Sequence, residues 1–267
     1  MGANKKFSKS IVMGVIFGSL SMSAHADRYE DGLIAYASGE HALASSYFLE
    51  AAKSGNVGAE HMLARLYSEG VGIPRDSAEA LKWTKKAAEG GIALAQYNLA
   101  EMHFNGELAA ADDAAMYQLY AKSAKSGVVM SYYRMGQLVE QGRGIAKNTA
   151  EAKFLYGVAA AELDVFAQKG DPNSQNTLAS MYEKGKGVAQ NYAKAAQWYR
   201  QAANQGLAEA QFNVGRMFAA GNGVDKNDVE AMSWFRRAAQ QGYVKAKDLM
   251  DAMVKDGRGN VAMASGH

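Results

Sequence analysis

The chain has 267 residues, of which 48% are hydrophobic and 21% charged, with only two prolines and no cysteine. This composition is too apolar for a disordered chain, and the lack of cysteine excludes disulfides, thiolate metal ligands and a cysteine nucleophile. A formal net charge of +2 excludes the strongly basic surface that nucleic-acid binding requires.

The first 26 residues have the organisation of a secretory signal peptide. Three lysines precede the apolar run IVMGVIFGSLSM, and the small residues of SAHA follow it. The alternative is a membrane anchor, but such a run spans about 18 Å of a hydrocarbon core that is about 30 Å thick. We predict cleavage after Ala26, with export to the periplasm or the medium and no stable membrane insertion. Removal of these residues takes away three lysines, so the processed chain has a formal net charge of −1.

The remainder of the chain repeats itself about every 36 residues. The segment GKGVAQNYAKAAQWYRQAANQGLAEAQ, from Gly185, matches GNGVDKNDVEAMSWFRRAAQQGYVKAK, from Gly221, in its glycines, tryptophans and paired alanines. We predict a capping helical hairpin, five repeats, a capping helix and a flexible tail. Their expected boundaries are 27–58 for the hairpin, 59–94, 95–130, 131–173, 174–209 and 210–245 for the repeats, 246–257 for the helix and 258–267 for the tail.

Each repeat is predicted to form two helices. In the first helix, apolar residues recur at spacings of four, as in Ala210, Val214 and Phe218, which places them on one helical face. A glycine is expected to end this helix because glycine adopts the left-handed C-terminal conformation at little cost. These glycines are Gly70, Gly106, Gly142, Gly185 and Gly221.

The second helix begins at a capping residue and carries one large apolar side chain. Asp76, Asn148 and Asn227 are each followed three residues later by glutamate, which is the pattern of a helix N-cap. A small pair follows each large side chain, so helices of neighbouring repeats can approach closely. The large residues are Trp83, Leu119, Leu155, Trp198 and Trp234.

The pattern A-x-x-x-L-x-x-x-Y-x-x-G-x-G-V, followed by a capping residue, tryptophan and paired alanines, resembles the Sel-one-like repeat. This family is related to the tetratricopeptide repeat, and the resemblance covers essentially the whole chain after residue 26. It implies an all-α, right-handed α/α superhelix of helix hairpins. Members of the family act mostly as adaptors or regulators, many bacterial members are exported, and the resemblance does not imply a single function.

Two repeats depart from the family pattern. The second replaces G-x-G-V with GELAAA over 106–111, which predicts a looser turn, and the third has seven extra residues. Seven residues add about two helical turns and rotate the apolar stripe of the helix by only about 20°. We therefore expect one long helix from about Thr149 to Lys169. The insertion either bends the stack without further consequence or provides a contact for a partner or a second copy.

The resemblance also indicates where a partner would bind. In the tetratricopeptide relatives, the first helices line a concave groove, and we expect the corresponding residues to contact a protein or peptide because aromatic residues and arginine dominate binding hot spots. The alternative is that these aromatic residues only pack on a neighbouring helix. The candidates are His61, Tyr97, Tyr133, Asn176 and Phe212, with Arg65, Glu101, Gln137 and Arg216 one turn further along.

No catalytic or metal-binding motif is found in the sequence. No two of the five histidines lie three or four residues apart, and neither G-x-S-x-G nor H-E-x-x-H occurs. We therefore predict an exported binding scaffold without enzymatic activity, metal or cofactor. The alternatives are a secreted virulence-type factor that interacts with a host and, with less support, a cell-wall-directed hydrolase assembled across repeats.

Overall fold

The structure is a computed structural model that describes residues 24–108 and 112–258. Within these ranges the chain forms thirteen α-helices and no strand, which confirms the predicted all-α class. The predicted signal peptide lies outside the described residues except for 24–26, as do residues 109–111 of the GELAAA turn and the tail after Arg258.

The helices form two compact units, one ending at Gly90 and the other beginning at Gly91. The first unit contains α1 Ala24–Ala37, α2 His41–Lys53, α3 Val57–Glu69 and α4 Ser77–Glu89. The second contains α5 Ala93–Phe104, α6 Asp113–Lys125, α7 Val129–Gln141, α8 Thr149–Gln168, α9 Pro172–Lys184, α10 Tyr192–Asn204, α11 Ala208–Ala220, α12 Asp228–Gln240 and α13 Val244–Lys255.

Local signals in the sequence set most of the helix ends. Gly70, Gly142, Gly185 and Gly221 adopt the left-handed conformation directly after α3, α7, α9 and α11. The fifth helix differs, because Asn105 is its C-terminal cap and the left-handed Gly106 follows one residue later.

The predicted N-terminal caps form as expected. The side chain of Asp76 accepts hydrogen bonds from the N–H groups of Ala78 and Glu79, and Asn148 accepts one from Glu151. Asn227 caps α12 in the same way. Each cap satisfies backbone donors that the first helical turn leaves without partners.

The cores consist of large side chains packed against small ones. In the second unit, Leu155 and Trp234 are buried, as are the alanine pairs 159–160 and 202–203. Trp198 is partly buried and packs against two clusters of buried residues. In the first unit, Trp83 is buried close to the alanine pair 87–88. Helices therefore approach closely where the sequence alternates between bulky and small residues.

The second glycine of each G-x-G turn has a role that sequence reasoning missed. A Cβ atom at this position would collide with the backbone 31 residues earlier, at a second helix. The colliding pairs are Gly72 with His41, Gly144 with Asp113, Gly187 with Tyr156 and Gly223 with Tyr192. Each of these four turns therefore presses directly on the preceding hairpin, and only glycine leaves room for this contact.

The seven extra residues lengthen α8, whose observed bounds agree with the predicted helix to within one residue. In the other three turns the glycine meets the first residue of a second helix, but Gly187 meets Tyr156, two turns into α8. The first two turns of α8 therefore extend past this contact, and Phe154 is 68% exposed there. A partner or second copy at α8 stays a prediction.

Candidate protein-binding surface

The two candidate residues of the first unit lie one turn apart on α3. His61 is half-buried, and burial lowers its pKa, with a further lowering from the nearby Arg65. Arg65 is exposed, donates from Nε to Oε1 of Glu69 at 2.9 Å, and lies over the ring of Tyr36. Both side chains are accessible, and that of Arg65 already has local partners.

The other seven candidates lie on the first helices of the second unit, and we call them the first-helix face. The face consists of Tyr97 and Glu101 on α5, Tyr133 and Gln137 on α7, Asn176 on α9, and Phe212 and Arg216 on α11.

Its three aromatic rings are half-buried and pack inside their own hairpins. Ring centroids lie 5.8 Å apart for Tyr97 and Tyr120, and 5.7 Å apart for Phe212 and Phe235. Tyr133 packs on Tyr156 in the same way. These rings stabilise the repeats, as the packing alternative predicted, yet each keeps an exposed portion that a ligand can contact.

An ion pair on the first-helix face connects α5 with α7. Arg134 donates from Nε to Oε1 of Glu101 at 2.7 Å and from Nη2 to Oε2 at 2.6 Å. The same guanidinium donates to Gln137, and the hydroxyl of Tyr120 donates to Glu101. The sequence pattern selected Glu101 and Gln137 but missed Arg134. The only feature of the sequence that could have indicated Arg134 is its position directly after Tyr133.

A second ion pair joins α9 and α11. Nη2 of Arg216 donates to Oε1 of Glu183 at 2.5 Å, and the hydroxyl of Tyr199 donates to the other carboxylate oxygen at 2.9 Å. Glu183 was also missed, because it lies 33 residues from Arg216 in the sequence. Arg134 and Arg216 are thus each held by a carboxylate of the preceding repeat.

Asn176 differs from the aromatic residues at the equivalent positions. Its Oδ1 accepts a hydrogen bond from Nδ2 of Asn213 on α11 at 3.2 Å. Both side chains are buried, so α9 and α11 meet here through an amide pair. Asn213 is a third residue of this region that sequence reasoning did not select.

The titratable groups beside the face are held in their ordinary ionisation states. Burial raises the pKa of Tyr156 to about 12, with its hydrogen-bond partners Lys186 and Glu140 acting in opposite directions. Burial acts to lower the pKa of Lys186, but its hydrogen bonds to Glu140 and Tyr156 outweigh this and raise it to about 12. Burial also raises the pKa of Tyr199. None of these groups is prepared to transfer a proton near pH 7.

Within the described part of the chain, no group of three histidine, aspartate or glutamate residues is arranged to hold a metal ion. Among the same residues, no helix is both long and apolar enough to cross a membrane.

This architecture defines a helical-repeat protein, a class that offers long shaped surfaces to other molecules. The chain belongs to the Sel1 repeat family, whose model matches residues 57–92, 93–128, 129–162, 172–207 and 208–243. Proteins of this family are generally non-catalytic scaffolds that mediate protein–protein interactions. No curated protein sequence matches the chain.

Several solved structures are similar to the chain. A protective antigen of uropathogenic Escherichia coli with this fold is 30% identical at a TM-score of 0.57, covering 91% of this chain and 50% of that protein. The chain therefore spans about half the length of that relative. A Sel1 repeat protein from Oxalobacter formigenes is 26% identical at a TM-score of 0.65, covering 90% and 92% of the two chains.

A Sel1 repeat protein from Klebsiella pneumoniae is 21% identical at a TM-score of 0.51, covering 79% of this chain and 99% of that one. At this identity the similarity concerns the fold alone.

Proposed function

We propose that the protein is an exported scaffold that binds a protein or peptide partner on its first-helix face and performs no catalysis. The observation that supports this most directly is the composition of the face. Half-buried aromatic rings and arginines held by glutamates line the first helices of several repeats. Rigid aromatic and arginine side chains provide contact area at a small entropic cost.

Export rests on the predicted signal peptide over 1–26. We expect the processed protein to begin at Asp27 and to act in the periplasm as an adaptor or a regulator of an envelope complex. N-terminal sequencing of the protein recovered from periplasmic extracts tests this proposal directly. Recovery of the chain with its first residues intact from the cytoplasm would contradict it.

Binding can be tested by photo-crosslinking from the face in native cells. A crosslinking amino acid at Gln137, which lies on the face and is only partly buried, should capture a protein, whereas the same group at Phe154 on α8 serves as the control. Changing Tyr133 and Phe212 to alanine should reduce the captured partner about tenfold, because truncating two hot-spot aromatics costs at least about 1–2 kcal/mol. Circular dichroism must first show that this variant is folded.

The face is not the binding site if the alanine variant is folded and captures the same partner in the same amount as wild type. If the partner is captured from Phe154 alone, α8 becomes the contact instead.

A second candidate is a secreted protein that interacts with host molecules. It is favoured by the 30% identity to the E. coli protective antigen, although the chain spans only half of that protein. Fractionation distinguishes the two candidates, because this one requires the protein in the culture medium and the first requires it in the periplasm.

A further inference from the structure

The amide pair of Asn176 and Asn213 has unused hydrogen-bonding capacity. The single contact between the two side chains, at 3.2 Å, engages one donor group and one acceptor. The second polar atom of each amide makes no hydrogen bond within the described residues, and neither atom is fully enclosed. Whichever amide is the donor in this bond, one NH₂ group and one carbonyl oxygen remain available.

This remaining donor and acceptor match the backbone of one residue in an extended chain. The N–H and C=O of such a residue point to the same side of the chain, so a main chain crossing the pair can donate to one asparagine and accept from the other. Asn176 and Asn213 are themselves only 8% and 9% exposed, so the open atoms lie at the floor of the surface. A thin extended segment reaches them more easily than a convex folded surface does.

The charges around the pair favour an uncharged segment. The guanidinium of Arg216, three residues after Asn213 on α11, is held by Glu183. A ligand carboxylate that needs this guanidinium would have to break a partly buried pair, which is costly. Recognition at the amide pair is therefore expected to depend on the amides and not on this arginine.

The rings of Phe212, on α11, and of Tyr243, the residue before α13, supply the apolar contact. Phe212 precedes Asn213 on α11, and the ring of Tyr243 lies 5.1 Å from the ring of Phe212. Both rings are half-buried, so their open portions can hold an apolar side chain of the segment.

We propose that Asn176 and Asn213 bind the main chain of an extended peptide segment whose neighbouring side chains are uncharged and apolar. This rests on the proposed function and specifies its ligand: the partner offers a flexible segment and not a folded surface. Recognition through the main chain tolerates many sequences, and binding should depend little on salt, because the contact is made to uncharged amides.

The test uses a 12-residue peptide selected from a displayed random library against the purified chain from Asp27. Its affinity is measured for wild type, for Asn176→Leu combined with Asn213→Leu, and for Asn204→Leu, an exposed asparagine on α10 that serves as the control. The double change removes both amides together and so leaves neither without its partner. We expect at least about tenfold weaker binding for the double variant and no change for the control.

A second peptide, with an ester in place of one central amide, distinguishes a main-chain contact from general packing. The ester should weaken binding to wild type and have no effect on binding to the double variant. Raising the salt concentration tenfold should change the affinity less than about twofold.

The proposal is overturned if the selected peptides are charged and salt-sensitive, if the ester has no effect on wild type, or if no peptide can be selected. If no peptide binds while a folded partner is still captured through Tyr133 and Phe212, the face remains a binding surface and only the peptide proposal fails. If a peptide binds wild type and the double variant equally, the amide pair has no part in recognition.

Discussion

Glu60 is largely buried in the first unit, where only 7% of the residue is exposed. Glu60 is the fourth residue of α3, and the fourth residues of α9 and α11 are glutamines. Those glutamines donate to the carbonyl oxygens of Ala167 and Ala203, eight residues earlier. An ionised carboxylate cannot make this bond, because it has no hydrogen to donate.

We predict that Glu60→Gln stabilises the protein by up to about 1 kcal/mol at pH 7, because an amide can donate and carries no charge to bury, while solvent near the carboxyl group limits the gain. Burial raises the pKa of Glu60, an effect that Lys86 opposes and Glu89 strengthens. A raised pKa means that the folded state binds the proton more tightly, so the ionised form costs stability as pH rises through the folded-state pKa.

The benefit of this change should therefore vanish below about pH 4, where the native carboxyl is protonated in folded and unfolded chains alike. Urea unfolding of wild type and variant at pH 7 and pH 4 measures the effect. Glu30→Gln, at an exposed site on α1, serves as the control. An equal gain at both pH values would show that ionisation of Glu60 is not the cause.

At the scale of the elements, the contact between a turn and the preceding second helix fixes how repeats of the second unit stack. Gly223 has a φ of 72°, and a Cβ there would collide with the carbonyl of Tyr192. Gly206 has a φ of 94°, and a Cβ atom added there would meet no other atom within 4 Å. The two glycines share a left-handed backbone but differ in their surroundings, so they form a matched pair.

We predict that Gly206→Ala costs about 1 kcal/mol, which is the backbone penalty alone. Gly223→Ala should cost about 3 kcal/mol or more, because the turn must also move away from α10. Chemical denaturation of the two variants provides the comparison. Equal losses would mean that the turn adjusts freely and that the contact does not hold neighbouring repeats in place.

Local signals explain why the helices were predictable while much of the surface was not. The glycine stops, the asparagine and aspartate caps and the length of α8 depend on residues close together in the chain. The partners of Glu101 and Arg216 lie 33 residues away, and they meet only after the repeats have stacked. Contacts of this kind depend on the stacking register, which the pattern of a single repeat does not contain.

At the scale of the whole molecule, each of the two units is a series of neighbouring contacts and not one shared centre. In the second unit, a large cluster of buried residues includes α5 to α9, and a smaller one includes α11 to α13. The stability of such a series is close to a sum of repeat and nearest-neighbour terms. A binding face that extends over several repeats therefore depends on every junction beneath it.

This organisation predicts that a cavity made by truncating a buried side chain destabilises only the helices near it, so its position decides how many helices are affected. Leu138→Ala, in the large cluster, and Met253→Ala, in the terminal helix α13, should each cost about 2–4 kcal/mol locally, because both side chains are buried. Leu138→Ala should accelerate amide hydrogen exchange throughout α5 to α9. Met253→Ala should accelerate it only in α12 and α13, because few packed neighbours lie beyond them. If Met253→Ala instead accelerates exchange equally in every helix from α5 onward, the second unit unfolds as one cooperative body, and its face forms or disappears as a whole.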